Sequence, residues 1–198
     1  MNRVTSKAIT LAALMAALGN ILSLLTTQLA PIAPNIPLGP ITVNLALDLS
    51  HLATFISAAL GGPALGAFTG ALGGLVAAFE FGFSKGNLVT GFGLPLGKAL
   101  TGLAGGFLLS RPTNRVLETS ARTLASYIPE ALLTLALFRF LLPPLMGLPV
   151  GLSTLIGFQI VVKACFEMVV LGLLLNWVLG HPALKALAGE AYVKPINP

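Results

Sequence analysis

Apolar positions fall into long unbroken runs, separated by short clusters of proline, glycine and polar residues. Runs of about 20 residues with few charges predict helices at Ala8 to Leu25, Val43 to Leu60, Pro63 to Phe81, Leu88 to Leu109, Ala121 to Leu142 and Ser153 to Leu179. A closed β-barrel would show short alternating segments with polar lumen-facing positions, so continuous runs favour helices. The expected fold is an all-α integral membrane protein, a bundle of about six transmembrane helices.

The connections carry separate signals. From Thr26 to Thr42, Pro31, Pro34, Pro37, Gly39 and Pro40 predict an ordered, extended loop, because proline cannot continue a helix. Gly61 and Gly62 before Pro63 predict an abrupt reversal, with proline in the first turn of the following helix. Helices two and three should therefore form a tight hairpin. The stretch from Ser110 to Ser120 holds Arg111, Arg115 and Glu118, whereas Pro143, Pro144, Gly147 and Pro149 make an uncharged fifth connection.

Composition agrees with lipid as the solvent: 56% of residues are hydrophobic and 9% charged, with mean hydropathy +0.93, against about 25% charged in ordinary globular chains. The 198 residues are expected to form a single domain spanning 1–198. Arg3 and Lys7 precede the first apolar run, which reaches Thr26 without a small-residue cleavage site and reads as a retained helix. Cys165 has no partner for an internal disulfide. The pI near 9.8 comes from basic residues that form no single solvated stripe, so no nucleic-acid partner is expected. Placing the amino terminus inside puts Arg3, Lys7, Arg111, Arg115, Arg122, Lys185 and Lys194 on the inner side and Lys85 outside. The positive-inside rule then gives two cytoplasmic termini. The proline-rich loop, the Glu80 to Asn87 turn and the fifth loop meet on the outer face as a binding mouth.

Small residues recur at helical spacing. Gly62, Gly66, Gly70 and Gly74 form a ridge that lets another backbone approach, for which internal packing is the leading expectation. Ala12 with Ala16, and Ala13 with Ala17, give helix one a smooth face suited to internal packing or to a partner helix.

Ionisable groups at membrane depth are more informative. Asp48, Lys98, Glu130, Lys163 and Glu167 all fall inside apolar runs, where each charge costs about 2.5 to 3.5 kcal/mol on insertion scales. Each should face the interior and a partner, and Lys163 and Glu167 share a helix face. One expectation is a neutralising network of Lys98 with Glu130 and Lys163 with Glu167; the other is a polar pocket open to the outside, with Asn44 and Asn87 among its contacts. Asn44, Asp48 and His51 would also share one face of helix two. Two histidines in the chain, without a second nearby acid, argue against a metal centre. No phosphate-cradling loop, nucleophile elbow or paired His and carboxylate motif is present, so neither an enzyme nor a resident cofactor is expected.

The runs AALMAALGN, LDLSHLATFISAALGGPALGAFTGALGG and GFGLPLGKALTGLAGG, with the proline-bearing loop between the first two, resemble the substrate-binding S components of energy-coupling factor transporters. The resemblance spans almost the whole chain. It implies a subunit in the cell membrane of a prokaryote that captures a vitamin or similar micronutrient from outside. It further implies a transmembrane coupling subunit, docked on the alanine face of helix one (Ala12 and Ala16, or Ala13 and Ala17), and two cytoplasmic ATPases. Substrate contacts would come from Asn44, Asp48, Asn87, Lys98, Glu130, Lys163 and Glu167, the two lysines suiting a carboxylate and the aromatic residues Phe81, Phe83 and Phe92 a stacked ring. The alternative is an autonomous secondary transporter or channel for a small polar solute, with Lys98, Glu130 and Lys163 as an ion path. A membrane enzyme using Glu130 or Asp48 as acid or base lacks a supporting motif.

Overall fold

The computed structural model describes residues 6–38, 41–44, 46–111, 113 and 115–182, with only the backbone path for 36–38 and 41–44. Arg3, Lys185 and Lys194, used above for orientation, lie outside the described residues, as does the side chain of Asn44. The order is α1 (Ser6–Leu29), β1 (Asn35–Leu38), β2 (Ile41–Asn44), α2 (Ser50–Gly73), α3 (Leu75–Phe81), α4 (Leu88–Leu109), α5 (Val116–Ala136), α6 (Leu142–Met146) and α7 (Val150–Gly180). A single 3-10 turn at Phe83–Lys85 precedes α4, and a π-helical segment, Leu137–Leu141, joins α5 to α6.

Five helical stretches are long and apolar enough to cross a membrane: Ser6–Leu29, Ser50–Lys85, Leu88–Leu109, Val116–Met146 and Val150–Gly180. Bulky apolar side chains point outward along them, including Phe92, Phe107, Leu117 and Trp177. Hydrocarbon accepts such a surface, and the helices satisfy their own backbone groups within it. The chain is a multi-pass membrane protein.

The Ser50–Lys85 stretch is not one rod. Ser57 and Thr69 hydroxyls lie 2.7 Å apart, although a straight helix would separate them by about 18 Å. The chain folds back at Gly62, whose φ of 77° is a left-handed value that only glycine adopts readily. Pro63 then opens the second arm, as the Gly61, Gly62, Pro63 sequence predicts. A further bend at Gly74 separates α2 from α3. The Asn20 side chain bridges that bend, donating to the Leu72 carbonyl at 2.9 Å and accepting from the Val76 amide at 2.9 Å.

The expected start of helix two is corrected here. Helix two does not begin at Val43: residues 41–44 pair antiparallel with 35–38, Ile36 opposite Val43, and the helix starts only at Ser50. Ile41, Thr42 and Val43 are β-branched and follow a proline-rich stretch, a combination that favours extended backbone over helix. The helical bundle therefore carries a small β-hairpin. At a rise of about 1.5 Å per residue, the first arm of α2, residues 50–61, is about 18 Å long, well short of a hydrocarbon core of about 30 Å. Its amino-terminal end is therefore buried inside the bundle.

The glycine ridge packs internally. Gly66 meets the Gly102 carbonyl, Gly70 the Lys98 carbonyl and Gly74 the Pro95 Cα, while Gly106 sits against Pro63. α2 and α4 thus touch backbone to backbone. On the opposite side Ala12, Ala16 and Gly19 of α1 are buried, with Ala16 and Gly19 against Gly73. α5 and α7 are joined by small polar groups: the Thr123 hydroxyl donates to the Met168 carbonyl at 2.9 Å and the Ser120 hydroxyl to the Val169 carbonyl at 3.2 Å. Phe55, Met168, Leu171 and Leu175 fill the core between α2 and α7.

A side chain at position 70 would collide with the Lys98 backbone. Gly70→Val is expected to cost about 1–3 kcal/mol, read as a lower unfolding temperature in detergent. Gly180→Ala, where nothing lies within 4 Å, should leave stability within about 0.5 kcal/mol.

Candidate functional site

The short first arm of α2 leaves a gap above its buried end, and the surrounding helices close it into a cavity of about 390 Å³. Ser23 and Thr26 of α1, Asp48 and His51 at the start of α2, Asn87, Thr90 and Lys98 of the α4 region, Tyr127 and Glu130 of α5, and Lys163 and Glu167 of α7 line it. Phe81, Leu137 and Phe138 add apolar wall. Six of the seven residues expected from sequence as solute contacts therefore share one cavity. Asn44 belongs to β2, so the supposed common helical face of Asn44, Asp48 and His51 does not exist.

Lys98 is placed by the absence of side chains around it. Gly70 lets its backbone press against α2, and its side chain, 2% exposed, runs to the end of that helix. There its ammonium donates to Asp48 Oδ2 at 3.1 Å and to the Ser50 hydroxyl. Asp48 Oδ1 in turn accepts from the Ser50 amide at 3.0 Å, which satisfies a first-turn donor and sets a carboxylate at the positive end of the helix dipole. The Asp48 amide donates to Glu167 Oε1 at 3.0 Å, and the Thr26 hydroxyl donates to the Leu47 carbonyl at 3.0 Å. The segment before α2 is thereby pinned to α1, α4 and α7 together.

Glu130 is held by a different set. Gly97, whose Cβ would touch the Glu130 side chain, allows α5 to approach α4. Glu130 Oε2 accepts from the Thr101 hydroxyl at 2.5 Å and lies 3.1 Å from His51 Nε2. His51 thus meets the Glu130 carboxylate through Nε2. Its Nδ1 is buried without a hydrogen-bond partner among the described residues, 3.9 Å from Asp48 Oδ2.

The expected pairing is half right. Lys163 and Glu167 do pair, at 3.3 Å, as their shared helix face requires. Lys98 pairs with Asp48 rather than Glu130, because the end of α2 brings Asp48 to its tip, while Thr101 and His51 hold Glu130 through its Oε2. Asn87 caps α4: its side-chain oxygen accepts from the Thr90 amide at 3.0 Å, so it has a structural task as well as a place on the cavity wall.

His51, Ser50, Thr101 and Tyr127 complete the site without having been named as contacts. Thr101 follows Lys98 by three positions and Tyr127 precedes Glu130 by three, so each lies on the same helix face as a buried charge. That spacing was the available signal. The aromatic residues expected at the mouth divide: Phe81 faces the cavity with Lys85 Nζ 5.5 Å from its ring centroid, while Phe83 and Phe92 stack edge to face, centroids 5.0 Å apart, with Phe92 exposed. Of the alanine face, Ala12 and Ala16 are buried within the bundle, and Ala13 and Ala17 are exposed. No group of three or more His, Cys, Asp or Glu side chains able to hold a metal ion occurs among the described residues.

Removing one member of the buried Lys98 and Asp48 pair leaves the other uncompensated. Lys98→Met is expected to destabilise by about 3–5 kcal/mol, measured by thermal or denaturant unfolding in detergent. The double variant Lys98→Met with Asp48→Asn should lose less than the two single losses combined, with a coupling of about 1 kcal/mol or more.

The chain matches no protein-family model and no curated protein.

Proposed function

We propose that this protein is a membrane-embedded capture subunit for a small polar solute, the S component of an energy-coupling factor type uptake system. The observation that carries the reading is the cavity of about 390 Å³, lined by Asp48, Lys98, Glu130, Lys163 and Glu167. Buried charges are costly at membrane depth, and a cavity lined by five of them with aromatic wall has the mixed character of a small-molecule site. Sequence resemblance supplies the class of transporter. The chain carries no ATP-binding motif, so uptake against a gradient draws on ATPases in other chains, through a transmembrane coupling subunit.

In this reading the chain sits in the cell membrane of a prokaryote with both termini cytoplasmic and crosses it six times, the non-helical segment before α2 and the short first arm together making the crossing that ends at the Gly62 fold-back. The cavity opens outward beneath the β-hairpin. The exposed alanines Ala13 and Ala17 are the part of helix one left free for the coupling subunit, since Ala12 and Ala16 are used inside the bundle. The captured solute is a vitamin or similar micronutrient.

Gently purified protein should release one small molecule on denaturation, identified by mass spectrometry, and should co-purify from its host membrane with an ATPase module. Reconstituted alone, it should catalyse no solute flux. Flux through the isolated protein in proteoliposomes without ATP would instead make it an autonomous transporter or channel.

A further inference from the structure

The two lysines on the cavity wall are unequal. Lys98 is buried and donates to both Asp48 and Ser50, so it has little to offer a molecule arriving in the cavity. Lys163 is the most exposed charged side chain of the wall, at 30%. Its ammonium can donate three hydrogen bonds. Among the described residues it has one partner, Glu167 Oε1 at 3.3 Å, where a tight charged hydrogen bond measures about 2.7–2.9 Å. Glu167 does not depend on that contact, because the same oxygen accepts from the Asp48 amide at 3.0 Å. The other acids are engaged more fully. Asp48 Oδ1 accepts from the Ser50 amide and Oδ2 from Lys98, and Glu130 meets Thr101 and His51 through Oε2 while its Oε1 lies against Gly97 of α4. Lys163 is therefore the charged group of the wall with donors left over, whatever the protonation of His51.

The position of Lys163 on α7 decides what lies beside it. Ile160 is one turn before it and Glu167 one turn after it on the same helix face, and all three line the cavity. On α5 the same order runs from Glu130 through Thr134 to Leu137 and Phe138, and Phe138 packs against Gly157 of α7. Lys163 thus stands where the polar end of the cavity gives way to an apolar one. We propose that Lys163, rather than Lys98, selects the solute, by receiving a carboxylate whose apolar or aromatic body lies between Ile160 and Phe138. This deepens the capture reading above and rests on it. A carboxylate seated there takes up ammonium protons that Glu167 leaves unused, in charge-assisted hydrogen bonds.

The full-length protein in detergent, dialysed free of bound solute, can be titrated calorimetrically with benzoate and with benzamide, the same ring carrying an anionic or a neutral head group. Benzoate is expected to bind at least about tenfold more tightly, as a hydrogen bond to a charged group allows. Lys163→Gln should abolish that preference while benzamide binding persists, and Lys163→Arg, which keeps the charge and the donors, should retain it. A merely structural role for Lys163 would weaken both probes alike and leave the preference in place. The comparison on the unaltered protein needs no variant, so the idea is tested even where Lys163→Gln fails to fold. Benzamide binding as tightly as benzoate, neither probe binding, or a preference that survives Lys163→Gln would overturn the proposal. So would a molecule without a carboxylate released from the native protein, which leaves capture itself standing; the capture reading fails separately, if no solute is released and no ATPase module is retained.

Discussion

A lysine with 2% of its surface exposed cannot remain charged inside an apolar bundle unless a carboxylate meets it there. That requirement, met by Asp48 and Ser50 at the start of α2, organises the architecture around it. The helix must begin where Lys98 ends, so its first arm is short. The chain before it must be non-helical, and unpaired backbone at membrane depth is tolerated only where protein or a cavity surrounds it. Bonds from Lys98 to the Asp48 carboxylate, from the Asp48 amide to Glu167 and from Thr26 to Leu47 supply that surrounding and leave a cavity beside it.

Glycine makes the arrangement sterically accessible. Close contact of Gly66 with Gly102 and of Gly70 with Lys98 brings α4 near enough for a lysine side chain to reach the end of α2. Gly97 does the same for Glu130. Small residues thus act on the cavity from outside it, by setting how far each charge-bearing helix stands from its neighbour. The α5 and α7 pair uses hydroxyls in place of glycine contacts alone, which ties the helix carrying Glu130 to the helix carrying Lys163 and Glu167.

The polar wall is consequently a connected set. Thr101, Glu130, His51, Asp48, Lys98 and Ser50 form one chain of contacts, and Glu167 joins it through the Asp48 amide. A solute that engages any one carboxylate alters the electrostatic environment of the others, since interactions among buried charges are weakly screened. A change of charge at one member is therefore felt by the others, and Lys163 is the more exposed of the two lysines.

Local signals in the chain determined the long helices and several of their ends. Apolar runs of spanning length placed α4 at Leu88 to Leu109, and the Gly61, Gly62, Pro63 sequence marked the fold-back, because backbone chemistry at those positions is decided by the residues themselves. The small-residue spacing likewise marked Gly66 and Gly70 as contact points, and the cost of buried charge marked Asp48, Lys98, Glu130, Lys163 and Glu167. Tertiary structure alone decided who meets whom. Lys98 takes Asp48 instead of Glu130, His51 joins Glu130, and residues 43 and 44 end a strand instead of opening a helix. Pairing between distant residues depends on the distances and rotations of packed helices, which hydrophobic periodicity leaves undetermined.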